Sequence, residues 1–233
     1  MPAYPGIHPD ALWLLSENRF HDSKEFYEEH KREIRSRVLD PLHALVEDLS
    51  PTVLKIDPHI VVDPGRNGCV SRIRRDNRYS RDKSLYRENV WVAFMRDKKA
   101  WDCIPGFFAD FSLKESTYGM GFYASTPALM QMLRRMIDEN AAPFLKAAKK
   151  ALAAGFSISG ERYARRKKEG LPPLLDELYN RKNIDFTRTE NDPAFFGSTD
   201  LPAVLTAGFQ ALAPFYRLLT EAAERELEER GKE

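Results

Sequence analysis

The sequence predicts an α+β fold, with a mainly antiparallel sheet in the central third of the chain packed with N-terminal and C-terminal helices. Three observations carry this expectation. Apolar residues recur at helical spacing toward both ends, the period drops to two between residues 60 and 123, and the links between the period-two runs are too short for crossover helices. At 233 residues the chain can bury a sizeable core and reads as a single domain over 1–233. A hydrophobic share of 42% with 30% charged residues is too apolar for a disordered chain.

The first helix signal is Asp22 and Ser23 ahead of Glu25, an N-cap arrangement that satisfies free N–H groups. Phe26, Tyr27, Ile34, Val38, Leu42, Leu45 and Leu49 then line one face. Pro41 falls inside this pattern and predicts a kink or the start of a second helix.

Four runs, 69–75, 88–96, 106–114 and 117–123, are expected in one sheet with helices on one face. Val90, Val92 and Phe94 alternate with Trp91, Ala93 and Met95, while Phe107, Ala109, Phe111 and Leu113 occupy every second position of the next run. Gly119 and Gly121 in the last run suit a bulge or a close backbone approach, to a ligand among other things.

Thr126 is a natural N-cap with Pro127 at the first helical position, followed by a stripe of Leu129, Leu133, Met136 and Ile137. An alanine-rich helix should end near Gly155. The segment SGERYARRKKEGLPP reads as a surface connection, with Arg162, Arg165, Arg166, Lys167 and Lys168 on a solvated loop. KNIDFTRTE is a further strand candidate, and a final helix starts near Asp200, with Pro214 expected to interrupt or kink it.

Several function classes are not supported. The opening MPAYPGIHPD lacks a basic segment leading into an apolar run, and no apolar run approaches the ~18 residues of a membrane span. A cytoplasmic chain is therefore expected. Cys69 and Cys103 form no C-x-x-C pair and are read as reduced core thiols. His8, His21, His30, His43 and His59 never take metal-ligand spacing, so neither a metal nor a cofactor is expected.

The charge distribution is more informative. The net charge is +1, but residues 66–99 hold eleven Lys/Arg against four Asp/Glu, about +7, which leaves about −6 for everything else. At the centre is SRIRRDNRYSRDKSLYRENV, where Arg72, Arg74, Arg75, Arg78, Arg81, Lys83 and Arg87 are interleaved with Asp76, Asp82, Tyr79 and Tyr86. Such a stretch cannot be core.

This string resembles the signature of a bacterial and fungal family catalogued as domain of unknown function 2461, with its R-I-x-R-D-x-R-[FY]-S-[KR]-D-K-[ST]-x-Y core. Arg72, Ile73, Arg75, Asp76, Arg78, Tyr79, Ser80, Arg81, Asp82, Lys83, Ser84 and Tyr86 match in register. The likeness continues through Pro105-Gly106-Phe107-Phe108, Gly119-Met120-Gly121-Phe122 and Leu133-Arg134, and reaches the N-terminal helix, where Phe26 stands in the place usually held by Trp. It spans nearly the whole chain, departing at Leu85, where many relatives have Pro, and over 157–173. The family has no established activity, so the resemblance implies a shared fold and a shared site without naming a reaction.

Two accounts of the signature compete. In one, Arg75–Asp76 and Arg78–Asp82 pair internally and tie an irregular loop to the sheet, as planar guanidinium forks do with carboxylates. In the other, surplus cations converge on a small anionic ligand such as a phosphate, nucleotide or carboxylate, with or without catalysis. Arg72, Arg75 and Arg78 would then clamp the anion, Lys83 add a mobile charge, and Ser80 and Tyr86 donate from hydroxyls. Asp76 and Asp82 are the acid or base candidates, although neighbouring cations should keep them ionised. No P-loop and no G-x-S-x-G elbow is present. The alternative is a binding module for nucleic acid or an acidic protein, with Tyr79, Tyr86 and Trp91 available for stacking. The nearly balanced net charge and the carboxylates inside the motif weigh against nucleic acid. Substrate, oligomeric state and the role of loop 161–170 are not legible from the sequence.

Overall fold

The computed structural model describes residues 4–65, 68–97, 103–122, 124–192 and 194–231. The chain opens with α1 (Pro9–His21), a helix earlier than the spacing analysis places one. Its apolar residues do not form a single stripe: Ala11, Leu12, Leu14 and Leu15 are buried while Trp13 and Phe20 face outward. His8 caps it, the ring accepting from the Asp10 N–H at 3.3 Å. Asp22, in the left-handed region at φ 46°, ends it.

Asp22 and Ser23 therefore split the roles expected of them. Ser23 alone caps α2 (Lys24–Ile34), its hydroxyl accepting from the Phe26 N–H at 3.1 Å. A π-type turn over Arg35–Leu39 leads directly into α3 (Asp40–Ile56). Pro41 sits in the first turn of α3, and the widened turn before it accommodates its ring. Ile34, Val38, Leu42, Leu45 and Leu49 are buried, whereas Phe26 and Tyr27 are half-exposed.

A five-stranded sheet follows, with order β1-β2-β3-β5-β4: β1 (Val90–Met95), β2 (Pro105–Phe111), β3 (Ser116–Phe122), β4 (Ser157–Ser159) and β5 (Asp185–Glu190). The link from β2 to β3 covers only residues 112–115, which forces an antiparallel hairpin. Ser112 closes it, accepting from the Lys114 and Glu115 N–H groups and donating to the Glu115 carbonyl. β4 and β5 are also antiparallel, Ile158 lying opposite Phe186. Val90, Val92 and Phe94 are buried and alternate with half-exposed neighbours, as the period-two reading requires.

The first expected strand, 69–75, is not one. Val70 pairs with Val92 as an isolated bridge and Arg74 with Tyr86 as another. The chain runs beside β1 for two hydrogen bonds, Ala93 N–H to Cys69 O at 2.8 Å and Ser71 N–H to Trp91 O at 2.9 Å, then turns back to pair with residues 85–87. Residue 123 of the fourth expected run lies outside the described residues.

The helices beyond the sheet are α4 (Pro127–Glu139), α5 (Ala142–Ala153), α6 (Pro173–Tyr179), α7 (Ala194–Gly197) and α8 (Leu201–Arg230). Thr126 caps α4 as expected, accepting from the Leu129 N–H at 3.2 Å. Neither α6, α7 nor β4 was anticipated, each being too short to carry a periodic signal. The interruption expected at Pro214 does not occur, since α8 runs through it. Pro214 has no N–H for the Gln210 carbonyl four residues earlier, and Lys150 Nζ donates to that carbonyl at 3.3 Å instead.

The chain groups into two compact units. The first comprises Met1–Phe94, Phe108–Tyr118 and Thr189–Thr206. In it Phe196 packs edge-on against Phe111, and its carbonyl accepts the Tyr4 hydroxyl at 2.7 Å. The second comprises Met95–Phe107, Gly119–Arg188 and Ala207–Glu233. Its core is aromatic: Phe107 lies against Phe209 and Tyr216 with ring centres 4.9 and 4.7 Å apart, and Phe186 meets Phe215 at 4.6 Å. In this unit Gly119 carries no side chain because a Cβ there would stand 2.0 Å from the Phe186 carbonyl oxygen of β5. The close approach that this glycine permits is to a strand.

Candidate functional site

The signature loop belongs to the first unit and is built from its ends inward. Two backbone bonds close its neck, Arg75 N–H to Leu85 O at 2.8 Å and Arg87 N–H to Ile73 O at 3.0 Å. Ile73, Ser84 and Tyr86 are buried and anchor it. The Tyr86 ring stacks on Tyr27 of α2 at 4.9 Å, and burial pushes its phenol up from the ordinary value. Asp22 completes the anchor, one carboxylate oxygen accepting from the N–H groups of Leu85 at 2.8 Å and Tyr86 at 3.2 Å.

Inside the neck, Arg75 is the hub. Its guanidinium donates to the Asp82 carboxylate, to the Ser84 hydroxyl at 3.0 Å and to the Ser80 hydroxyl at 3.5 Å. Arg19 of α1 adds a second cation to Asp82 at 3.4 Å. Arg78 closes a fork on Asp76, with Nε to Oδ1 at 2.9 Å and Nη2 to Oδ2 at 2.7 Å. Asn77 and Lys83 bond each other reciprocally: Asn77 Nδ2 donates to the Lys83 carbonyl at 2.9 Å and Lys83 Nζ to the Asn77 carbonyl at 3.1 Å.

The two aspartates are strongly acidic. Hydrogen bonds from Arg78 hold the Asp76 carboxyl down to about 2, and those from the Ser84 backbone and hydroxyl, with Arg75, bring Asp82 to about 2. Carboxylates of that kind are weak bases near neutral pH.

The structure brings Arg75, Ser80 and Asp82 together and leaves the other sequence-predicted residues apart. Asp76 and Arg78 form a separate exposed pair, Lys83 folds back on the loop, and Tyr86 turns inward. The internal pairs are Arg75–Asp82 and Arg78–Asp76, the reverse of the expected Arg75–Asp76 and Arg78–Asp82. Arg72, Arg74 and Arg81 are exposed and hold no ion pair among the described residues, and Tyr79 of the same loop is 95% exposed. A cavity along α1, lined by Trp13, Ser16, Arg19, Phe20, His21 and Glu88, includes no residue of 72–86.

A family model described as conserved hypothetical protein, DUF2461, matches residues 10–218. The chain belongs to the DUF2461 family. The resemblance carried by the signature thus extends over nearly all of both units. No curated protein and no solved structure was found to match.

Sequence reasoning missed one polar cluster in this DUF2461 chain. Asp110 of β2 is half-buried, accepts from Asn89 Nδ2 at 2.7 Å, and is pushed up to about 6 by the burial of its carboxyl. Arg87, the last arginine of the signature stretch, lies over the Trp91 ring at 4.3 Å and draws the Asp110 carboxyl partly back down. The legible signal was a charged residue between Ala109 and Phe111 in an apolar run.

The second basic run folds as a strap within the second unit. Arg162 pairs with Asp176 and Glu177, and Arg166 with Asp176 at 3.7 Å. The buried Asn180 amide oxygen accepts from the Lys167 and Lys168 N–H groups at 2.7 and 3.2 Å. Carboxylates of α6 therefore pair with a loop that is solvated as expected, Arg162, Arg165, Arg166, Lys167 and Lys168 all being exposed. Cys69 and Cys103 are free and buried, the Cys69 thiol pushed up to about 11 by burial. Among the described residues no three His, Cys, Asp or Glu are grouped to hold a metal, and no helix is long and apolar enough to cross a membrane.

Proposed function

We propose that this chain is a binding module that recognises an extended anionic partner, single-stranded nucleic acid, across the open face of the signature loop. The observation that carries this reading is the exposure of Arg72, Arg74 and Arg81, none of which holds an ion pair among the described residues, in one loop with Tyr79, which is 95% exposed. Ser71 and Ile73 are buried while Arg72 and Arg74 are exposed, so the two arginines share one side of the chain, roughly 6.5 Å apart along it. Guanidinium groups so spaced suit successive phosphates, and the exposed Tyr79 ring, which the Arg78 guanidinium overlies at 5.8 Å, leaves its other face for a base.

The carboxylates of the motif are a smaller objection than the sequence alone implies. Asp76 and Asp82 are already matched by Arg78 and Arg75, so the charge left outward is positive. The same pairing counts against a small-anion clamp of Arg72, Arg75 and Arg78, because a ligand would have to displace Asp82 and Asp76 from two of the three forks.

The test is fluorescence anisotropy with a labelled oligo-dT of about twenty nucleotides over a salt series. Binding should weaken steeply with salt, and the Arg72→Ala/Arg74→Ala/Arg81→Ala variant should lower the logarithmic salt slope by about 2, at roughly 0.7 for each phosphate no longer neutralised. Tyr79→Ala should cost about 1–3 kcal/mol of stacking. No binding at low salt, or a triple variant indistinguishable from wild type, would sink the proposal.

A further inference from the structure

The Leu133-Arg134 motif has no part in the signature loop, yet Arg134 of α4 holds an unusual position in the second unit. Its Nη1 is buried without a hydrogen-bond partner, while the residue as a whole is half-exposed. A buried donor without an acceptor is rare in folded proteins. Asp138, one turn further along the same helix, is the obvious acceptor and is occupied elsewhere. It takes Lys168 Nζ at 2.6 Å and the Tyr179 hydroxyl at 2.7 Å.

A second cation stands nearby. Lys167 Nζ lies 4.5 Å from the centre of the Tyr163 ring, and the Arg134 guanidinium 5.7 Å from the same centre. Among the described residues Lys167 has no ion pair, and its side chain is exposed. Its backbone is not free to retreat, since the Lys167 N–H is held at 2.7 Å by Asn180, itself 1% exposed. The fold thus fixes two unneutralised cations on one aromatic ring.

We infer that Arg134 and Lys167, set against Tyr163, form a site for a small oxyanion, a phosphate or a carboxylate, beside that ring. Arg134 supplies the planar donor edge, Lys167 the mobile charge, and Tyr163 the wall against which both are held. The site is independent of the signature face. No residue is common to the two.

Isothermal titration of the full chain at low ionic strength with inorganic phosphate, and separately with succinate, tests the inference. Binding of either is expected, and whichever binds more tightly identifies the class. Arg134→Gln should weaken it at least tenfold and Lys167→Gln about threefold, while the Arg72→Ala/Arg74→Ala/Arg81→Ala variant leaves it unchanged. Absence of binding by the wild type, or wild-type affinity in Arg134→Gln, overturns the site. Should Arg134→Gln fail to fold, Lys167→Gln on the exposed strap decides, and wild-type affinity there is equally fatal. Loss of phosphate binding in the signature variant would also overturn it, by assigning the binding to the other face.

Discussion

The Asp22 carboxylate accepts the backbone N–H of Leu85 at 2.8 Å, so the residue that ends the first helix also anchors the far end of the signature loop. Asp22 combines a left-handed backbone with this anchor, and glycine separates the two roles. Asp22→Gly keeps the conformation and loses the acceptor. Urea unfolding should find it less stable by about 1–3 kcal/mol, the cost of leaving such N–H groups unmet. Stability equal to wild type would mean that the anchor contributes nothing.

Asp110 gives a pH dependence of defined sign. Burial raises its carboxyl from 3.8 to about 6, so the folded chain retains a proton that the unfolded chain loses. Its contribution is complete below about pH 4 and is lost as pH rises through about 6. Asp110→Asn cannot ionise and can still accept from Asn89. The difference between variant and wild type should grow across that window and reach on the order of 2 kcal/mol in favour of the variant at pH 7. A difference that stays constant from pH 4 to 7 contradicts the assignment.

Asp82 runs the opposite way. The folded value, about 2, lies below the ordinary 3.8, so its contribution is present above pH 4 and disappears as pH falls through about 2. Asp82→Asn should therefore destabilise the chain at neutral pH, with the gap to wild type closing in acid. Unfolding curves between pH 2 and 5 read this directly, and a gap independent of pH would exclude a charged Asp82 as the cause.

Lys150 and Pro214 should be coupled. Lys150→Met leaves the Gln210 carbonyl without its donor, at a cost near 0.5–1.5 kcal/mol. Pro214→Ala supplies a backbone N–H to the same carbonyl, so the double variant should recover most of the loss. A double-mutant cycle measures the coupling, and strict additivity would show that Lys150 does not substitute for the missing bond.

Gly119→Ala places a Cβ 2.0 Å from the Phe186 carbonyl oxygen, which is backbone and cannot rotate away. The strands must separate locally, at a cost of about 3 kcal/mol or more. For a chain of this size the melting temperature should then fall by roughly 6–12 °C. A variant that melts with the wild type would mean that β3 and β5 are less closely paired.

What the sequence determined by itself is local. Alternation fixed the strand identity of residues 90–95 and 105–111, because a period of two leaves one buried face whatever lies above it. Thr126 and Pro127 set the start of α4 through cap chemistry that needs no distant partner. The concentration of charge in 72–87 kept its arginines at the surface, although Ile73, Ser84 and Tyr86 between them are buried, and its motif pointed to the DUF2461 family.

Tertiary structure decided everything that depends on which long-range partner wins. Adjacency suggests Arg75 for Asp76, but neighbours in an extended chain point to opposite sides, and the loop's closure brings Asp82 to Arg75 and leaves Asp76 to Arg78. Residues 69–75 have strand-like alternation yet form single bridges, because residues 85–87 compete with β1 for their backbone groups. Helix α1 carries no periodic stripe, since one side packs inward while Trp13 and Phe20 remain outside. The raised pKa of Asp110 and the unmet donor of Arg134 arise from burial, and burial is a property of the assembled fold that no window of sequence contains.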